Sequence, residues 1–204
     1  HGICYIIPPH IVRHVAETAS GELRERALQS LADAGHFRGV RTVMATLAVG
    51  ALPAGEKRRT IYDAETGTDL PGKLVRGEGD PATRDVAVTE AYDASGTVYD
   101  FYKKVYDRNS VDGSGLRLNS TVHYDVKFDN AFWDGRQMVY GDGDGTLFQR
   151  FTISLDVIGH ELTHGVTQFE AGLVYQGEPG ALNESMSDVF GSLVKQWKRK
   201  QKAD

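Results

Sequence analysis

The chain has 204 residues, a formal net charge of −5 at pH 7, and a composition that is 40% apolar and 25% charged. These values exclude a disordered or collagen-like chain, and the acidic balance argues against a basic nucleic-acid-binding protein. No apolar run reaches the ~18 residues that a membrane span needs, so we expect no contact with a membrane. Cys4 is the only cysteine, which excludes an intramolecular disulfide framework.

The first 50 residues predict a short helical region in front of the main domain. The apolar run that ends at Pro8 and Pro9 is too short for a secretory signal and lacks its basic start. Amphipathic patterns predict two helices, at about 10–19 and 20–34. Glycine and proline at about 40–55 then mark a domain boundary.

Three side chains of this region are potential metal ligands. His10 and His14 are four residues apart on one predicted helix face, but no third donor lies nearby in the sequence, so a surface pair is the favoured interpretation. Cys4 has two open interpretations, a small buried hydrophobe or a thiolate that occupies a metal site elsewhere in the chain.

The middle region mixes strand patterns with one long helical pattern. Aromatic residues recur there every three or four positions, which is typical of a helix, while other segments alternate between apolar and polar residues. The expected elements are strands at 59–62 and 73–76, a helix at about 81–107, and strands at 116–126, 131–133 and 137–140. This order favours an α+β fold over a regular βαβ repeat.

The glycine-rich segment Gly141–Gly145 resembles two ligand-binding loops superficially. A phosphate-binding loop would need a lysine followed by serine or threonine, and a calcium loop that begins at Asp142 would need a glutamate where Ile153 stands. We therefore interpret the segment as a turn in which aspartates bond to local backbone N–H groups.

The segment that carries chemistry contains the motif H-E-x-x-H at His160, Glu161 and His164. The apolar residues around it form one helical stripe, and the two histidines project together from the other side. Imidazoles four residues apart on a helix can bind one Zn²⁺, and a glutamate beside them can reach a metal-bound water.

Such a site needs a third protein ligand. A predicted helix at about 181–200 carries Glu184 and Asp188 on the face opposite its apolar stripe. Glu184 would complete the ligand set and leave zinc with a net positive charge. Asp188, one turn further on, is placed to accept the second N–H of a ligating histidine.

These motifs, together with Ala171–Tyr175 and Gly180–Gly191, resemble the thermolysin family of zinc endopeptidases. The resemblance also includes Asn130–Trp133 and Met138–Gly145. It implies an α+β catalytic domain with an antiparallel-rich sheet, a long helix and an active-site helix. The amino-terminal segment resembles the short propeptide of the protealysin-like branch, whose precursors cleave themselves.

The resemblance implies specific catalytic roles. The implied zinc ligands are His160, His164 and Glu184. Glu161 would deprotonate the attacking water, and Tyr175 would donate a hydrogen bond to the oxyanion. Asp188 would orient a ligating histidine.

The resemblance also implies a surface for a polypeptide substrate. Asn130 and Ala131 would hold an extended peptide against an edge strand, and Phe132 and Trp133 belong to the same substrate-binding motif. The implied walls of a pocket for a large apolar side chain are Phe148, Phe151 and Val157. Cleavage is therefore expected on the amino side of large hydrophobic residues.

The resemblance divides the chain into a propeptide at 1–50 and an N-terminal catalytic domain at 51–204. The family has a further helical domain, and we expect this chain to end before it and to be a weak peptidase alone. The propeptide would act as the inhibitor, either through a Cys4 thiolate or as a steric plug around Pro8 and Pro9. The basic residues near the carboxyl end favour a solvated helix end over nucleic-acid contact.

Lys195 stands where the thermolysin pattern has a calcium-ligating acid. A lysine there can pair with Asp156, so we predict that the double calcium site is absent. The location is open: the family suggests secretion, whereas the lack of a visible signal leaves the cytoplasm possible. The alternative function is a catalytically silent zinc-binding or propeptide interaction module. A requirement for Glu161 in peptide turnover would distinguish the endopeptidase from this module.

Overall fold

A computed structural model describes residues 9–29, 31–32, 56–146, 148–173 and 177–202. Its helices are α1 (Pro9–Thr18), α2 (21–29), α3 (Val86–Tyr106), α4 (Leu155–Glu170) and α5 (Gly177–Arg199). Its strands are β1 (Arg59–Asp63), β2 (Lys73–Arg76), β3 (Leu118–Val122), β4 (Ala131–Trp133) and β5 (Met138–Tyr140). One 3-10 turn, Phe151–Ile153, leads into α4.

The five strands form one sheet in the order β2-β1-β3-β5-β4. The β1–β2 and β4–β5 pairs are antiparallel hairpins, whereas β1–β3 and β3–β5 are parallel. The α+β class is confirmed, but the antiparallel-rich sheet was a wrong expectation, because half of the pairings are parallel. The reason is that α3 crosses over between β2 and β3 and returns the chain alongside β1 in the same direction.

The main apolar core lies between the sheet and the helices α3, α4 and α5. A second, smaller cluster of Tyr124, Phe128, Phe132 and Val139 packs elsewhere on the sheet. The active-site helix belongs to the main core: Ile158 and Leu162 are almost fully buried there, as its predicted apolar stripe required.

Two predicted boundaries shift for local reasons. Helix α3 begins later than expected because Asp85 caps it, accepting the N–H groups of Ala87 and Val88 at 2.8 and 3.2 Å. Strand β3 ends at Val122 rather than Val126 because His123 has a positive φ of 54°, which breaks the extended conformation.

Helix α5 departs most from its sequence pattern. Four residues of its predicted core stripe are exposed: Leu182, Met186, Val189 and Leu193. The buried side consists mostly of small or polar residues: Gly180, Asn183, Ser187, Gly191 and Val194. Within that side, Gly191 lies so close to α4 that an added Cβ would stand 2.5 Å from the carbonyl oxygen of Asp156. The expected core stripe was therefore wrong for these four residues, whereas Phe190 and Trp197 of the same stripe pack against the main core. Close contact with α4 requires small residues, which an apolar pattern does not mark.

Helices α1 and α2 pack on each other rather than into the main core. Val12, Ala16 and Ala27 form a small cluster of their own, with Val15 and Leu31 at its edge. Among the residues that the structure describes, none of the helices has the length and apolarity needed to cross a membrane.

Candidate zinc site and substrate edge

The motif residues of helix α4 are buried inside the fold. Glu161 is completely buried, and His160 and His164 are 8% and 2% exposed. Buried imidazoles and a buried carboxylate need polar or charged partners to offset the loss of hydration. The polar residues of the adjoining helix and of β4 supply those partners.

The close contact at Gly159 and Gly191 brings α5 onto the histidines. An added Cβ on Gly159 would meet Gly191 Cα at 3.1 Å, so the two backbones nearly touch. As a result, Glu184 Oε2 lies 3.4 Å from His160 Nε2 and 3.8 Å from His164 Nε2. The two Nε2 atoms are 3.0 Å apart.

These three atoms fit the demands of a zinc ion. Ligands at ~2.0–2.1 Å around a tetrahedral ion lie ~3.3 Å from one another, and the observed separations fall on either side of that value. Burial lowers the pKa of His160, but its hydrogen bond to Glu184 and the charges of Glu161, Glu184 and Asp188 outweigh burial and leave the pKa raised. The carboxylates therefore favour positive charge between the imidazoles, and a zinc ion would take the place of the extra proton, since only a neutral imidazole ligates a metal.

Outer hydrogen bonds fix which nitrogen of each histidine faces the centre. His160 Nδ1 lies 2.8 Å from Asp188 Oδ1, and His164 Nδ1 lies 2.7 Å from Asn183 Oδ1. Both oxygens are acceptors, so each Nδ1 carries the proton and each Nε2 directs its lone pair inward. Ser187 Oγ also lies 3.1 Å from His164 Nδ1.

Asp188 therefore makes the contact that its spacing predicted. Asn183 and Ser187 were not identified from the sequence. The signal that could have found them is their spacing, because Asn183, Ser187 and Gly191 recur every four residues along the face of α5 that meets α4.

Glu161 is held by the sheet as well as by its helix. Its Oε2 accepts the backbone N–H of Trp133 at 3.0 Å. A Glu161 carboxylate oxygen also lies within 4.8 Å of a nitrogen of each histidine. The carboxylate is thus fixed between strand β4 and the candidate metal position.

Strand β4 is an edge strand, as the substrate prediction required. Gly141 N donates to Asn130 O at 2.9 Å, so Asn130 points its backbone toward β5, and by alternation Ala131 and Trp133 point theirs away from it. The side of β4 that faces Glu161 is therefore the side on which a peptide would pair. Asn130 itself is buried, with Oδ1 accepting the N–H of Ala131 at 2.9 Å.

The remaining predicted site residues divide into three groups. Phe148 and Phe151 stack at a centroid distance of 5.7 Å, and Phe148 and Val157 are partly exposed at the core margin. Phe132 is fully buried in the second cluster, so its expected role in substrate binding was wrong: its side chain is a core residue. Tyr175, Cys4 and the side chain of Pro9 lie outside what the structure describes, as does Pro8.

Lys195 pairs with Asp156, as predicted, at a distance of 2.6 Å between Nζ and Oδ2. In the segment Gly141–Gly145, Asp144 Oδ1 accepts the N–H of Thr146 at 2.8 Å, as predicted, whereas Asp142 contacts the His123 side chain instead of the local backbone. The absence of a double calcium site stays a prediction.

A second polar cluster was not identified from the sequence. His123 lies between two carboxylates, 2.8 Å from Asp85 Oδ2 and 2.8 Å from Asp142 Oδ2, and Asp63 is close by. The hydrogen bond to Asp142 is the largest cause that raises the pKa of His123 to about 9. The two close contacts form an ion-pair network when His123 is protonated.

The sequence comparisons match this geometry. The model of the thermolysin metallopeptidase catalytic domain matches residues 50–168, and the model of the alpha-helical domain of the same peptidases matches residues 171–204. The chain belongs to the thermolysin metallopeptidase family, and the resemblance seen in its motifs is confirmed. The family models thus divide the chain near residue 170, while a single domain at 51–204 stays a prediction.

Individual relatives extend the match to the amino-terminal region. The chain is 51% identical over 200 residues to an extracellular metalloprotease of Pectobacterium carotovorum subsp. carotovorum, covering 96% of this chain and 56% of the relative. It is 45% identical over 203 residues to protease PrtS of Photorhabdus sp. (strain Az29), and this match covers 98% of this chain and 55% of the relative. The chain therefore spans about half the length of the curated relatives it matches.

A solved structure is similar in fold as well as in sequence. The precursor of protealysin, a metalloproteinase from Serratia proteamaculans, superposes with a TM-score of 0.83 at 50% identity. The match covers 98% of this chain and 57% of that precursor.

Proposed function

We propose that this chain forms the catalytic centre of a zinc-dependent endopeptidase that is made as a precursor. The observation that carries the proposal is the convergence of His160 Nε2, His164 Nε2 and Glu184 Oε2, with Glu161 fixed beside them. Membership of a family of metallopeptidases supports the same reaction class.

Glu184 is the carboxylate that we assign as the third ligand. Glu161 Oε2 already accepts a backbone N–H, whereas Glu184 Oε2 faces both imidazoles. Zinc bound by these groups would acidify a water molecule and polarise the scissile carbonyl.

Glu161 is the general base in this proposal. Its Oε1 would take a proton from the attacking water and later deliver it to the leaving nitrogen. The bond from Trp133 N to Oε2 holds the carboxylate in one orientation, so that this transfer needs no rearrangement. Tyr175 is proposed, from the resemblance alone, to donate to the oxyanion.

The substrate is proposed to pair in extended form with the outer side of β4. Ala131 and Trp133 supply backbone groups there, next to Glu161. Phe148, Phe151 and Val157 are proposed to line a pocket for a large apolar side chain on the carboxyl side of the cleaved bond. Their packing around the start of α4 is consistent with an apolar pocket.

The test is Glu161→Gln in the full-length protein. We expect zinc content to be unchanged and peptide turnover to fall by at least the ~10²–10⁴-fold that a general base contributes. Glu178→Gln is the matched control, since Glu178 is exposed at the first turn of α5. Zinc is measured by metal analysis and turnover with a peptide that has leucine or phenylalanine after the cleaved bond.

The same measurement addresses the alternative of a catalytically silent zinc module. In that case Glu161→Gln and Glu178→Gln would leave the same residual turnover. A peptide with glycine in place of leucine or phenylalanine tests the specificity, and equal cleavage of both peptides would contradict the proposed apolar pocket.

We further propose that residues 1–50 are the propeptide and that the protein is secreted. The likeness to the precursor of protealysin and the name of an extracellular relative support these proposals. Because the relatives are nearly twice as long, the 204 residues alone are expected to cleave peptides weakly. Inhibition by Cys4 or by the Pro8–Pro9 plug stays a prediction, which zinc-edge spectroscopy of Cys4→Ala would test: an unchanged coordination shell contradicts the thiolate.

A further inference from the structure

The structure shows a charged contact between the amino-terminal helices and the catalytic domain. Arg26 of α2 points Nη1 at two aspartates, 3.1 Å from Asp144 Oδ2 and 3.9 Å from Asp129 Oδ2. The side chains of Asp144 and Asp129 are only 6% and 12% exposed. Arg26 thus places a cation against two largely buried carboxylates.

Both aspartates also accept hydrogen bonds from backbone N–H groups within the catalytic domain. Asp129 Oδ1 accepts the N–H of Asp144 at 2.7 Å, and Asp144 Oδ1 accepts the N–H groups of Thr146 and Phe148 at 2.8 and 3.2 Å. In each aspartate the other oxygen, Oδ2, faces Arg26. The pair therefore keeps its local bonds while it presents two oxygens to a basic partner.

Two adjacent buried carboxylates are costly without a counter-charge. Burial, and after it the charge of Asp144, raises the pKa of Asp129, while Arg26 acts in the opposite direction. A second contact, 3.7 Å between Lys127 Nζ and Glu22 Oε1, is formed by exposed side chains and contributes little. Arg26 is therefore the main electrostatic link.

Apolar packing does not replace this link within the described part of the chain. The cluster of Val12, Ala16 and Ala27 is separate from both clusters of the catalytic domain. A cleft lined by Arg26, Gln29 and residues 125–129 separates α2 from the loop before β4. Among the described residues, the contacts that orient the helices on the domain are therefore mainly charged ones.

We propose that Asp129 and Asp144 form the docking surface for the amino-terminal segment and that Arg26 is its anchor. The inference rests on the proposed precursor, in which that segment is the propeptide. Asp129 directly precedes Asn130, and the Asp144 loop leads to Phe148, so the anchor holds the helices beside the proposed substrate edge.

The test is hydrogen exchange of the full-length protein in a Glu161→Gln background, which prevents self-cleavage. Arg26→Gln is expected to speed exchange of α1 and α2 by about 10- to 100-fold, the factor expected when one partner of a largely buried ion pair is removed, with α4 unchanged. Arg13→Gln removes the same charge from an exposed position of α1 and is the control.

Asp144→Asn is the second variant, because its Oδ1 can still accept the loop N–H groups. Together with Arg26→Gln it forms a double-mutant cycle, and we expect the double variant to exchange no faster than the faster single variant. Additive effects, or an Arg26→Gln that exchanges like Arg13→Gln, would overturn the anchor.

An activity arm separates this inference from the proposed function. With Glu161 intact, Arg26→Gln is expected to lose its amino-terminal segment faster. If exchange changes as expected but no variant cleaves itself or a peptide, the anchor stands and the proposed function fails.

Discussion

Helices α4 and α5 form the two halves of the candidate zinc site. The apolar pattern of α4 identifies its buried face correctly, whereas most of the apolar pattern of α5 lies on an exposed face. In α4, apolar residues such as Leu162 enter the core and the motif residues face the other way. In α5, apolar residues such as Val189 are exposed, whereas Asn183 and Ser187 are buried. Apolar periodicity therefore identifies a buried face only where that face meets side chains rather than another helix backbone.

The largest difference between the helices should appear in zinc affinity. His164→Ala removes a proposed zinc ligand of α4, whereas Asn183→Ala removes only the acceptor that orients His164. We expect a ~10–100-fold loss for Asn183→Ala and a greater loss for His164→Ala, measured by competition with a chelator. Ser185→Ala, at an exposed position of α5, should be neutral. An equal loss in both variants would place the two residues in one coordination shell.

The stability of the fold should also depend differently on the apolar residues of the two helices. Leu162→Ala should lower the free energy of unfolding by about 2–5 kcal/mol, because Leu162 is 1% exposed. Val189→Ala should change it by no more than about 0.5 kcal/mol, because Val189 is 50% exposed. Denaturant unfolding of the 204-residue chain measures both. A similar cost in the two variants would mean that this face of α5 is covered.

Gly191→Ala tests the contact that joins the helices. The new Cβ would lie 2.5 Å from Asp156 O and 2.9 Å from His160 N, so α5 must move. We expect a destabilisation of about 1–3 kcal/mol, together with weaker zinc binding as Glu184 withdraws. Ser192 is exposed, so Ser192→Ala should change neither stability nor zinc binding. Unchanged zinc affinity in Gly191→Ala would show that Glu184 does not depend on this contact.

The pH at which these comparisons are made matters because of His123. Its pKa is raised from 6.5 to about 9, first by its hydrogen bond to Asp142, so its stabilisation is complete below pH 6.5 and is lost as the pH rises to 9. The difference of about 2.5 pKa units limits the contribution of His123 to the free energy of unfolding to about 3 kcal/mol. Because Asp85 and Asp142 are partly exposed, we expect about 1–2 kcal/mol. In His123→Gln, the free energy of unfolding should vary less with pH between 6.5 and 9. An unchanged slope would mean that other groups cause the pH dependence.

The smallest effect is expected at Lys195, which also links the two helices. Its pair with Asp156 is about one third exposed, so Lys195→Met should cost at most about 1 kcal/mol. Lys198→Met, at an exposed position of the same helix, is the control. Calorimetric titration of the unaltered chain should show no tight calcium binding that depends on Asp156. Such binding would restore the double calcium site that the lysine is predicted to remove.

Much of the site could be predicted because its information is local. The spacing of His160, Glu161 and His164 places them together on any helix, and the one-turn step from Glu184 to Asp188 does the same. The bond between Trp133 and Glu161 could not be predicted, because it joins a strand to a helix 28 residues away. The pair of His123 with Asp85 and Asp142 likewise joins three distant segments.

The sequence by itself determined the metallopeptidase family and which motif side chains of α4 lie together, because helix geometry converts spacing into shared direction. It also determined the α+β class through the order of apolar patterns. Only the tertiary structure decided the mixed sheet, the buried role of Phe132, the exposed face of α5 and the docking of Arg26 on Asp129 and Asp144. These features depend on contacts between segments far apart in the chain, and no local periodicity records which segments will meet.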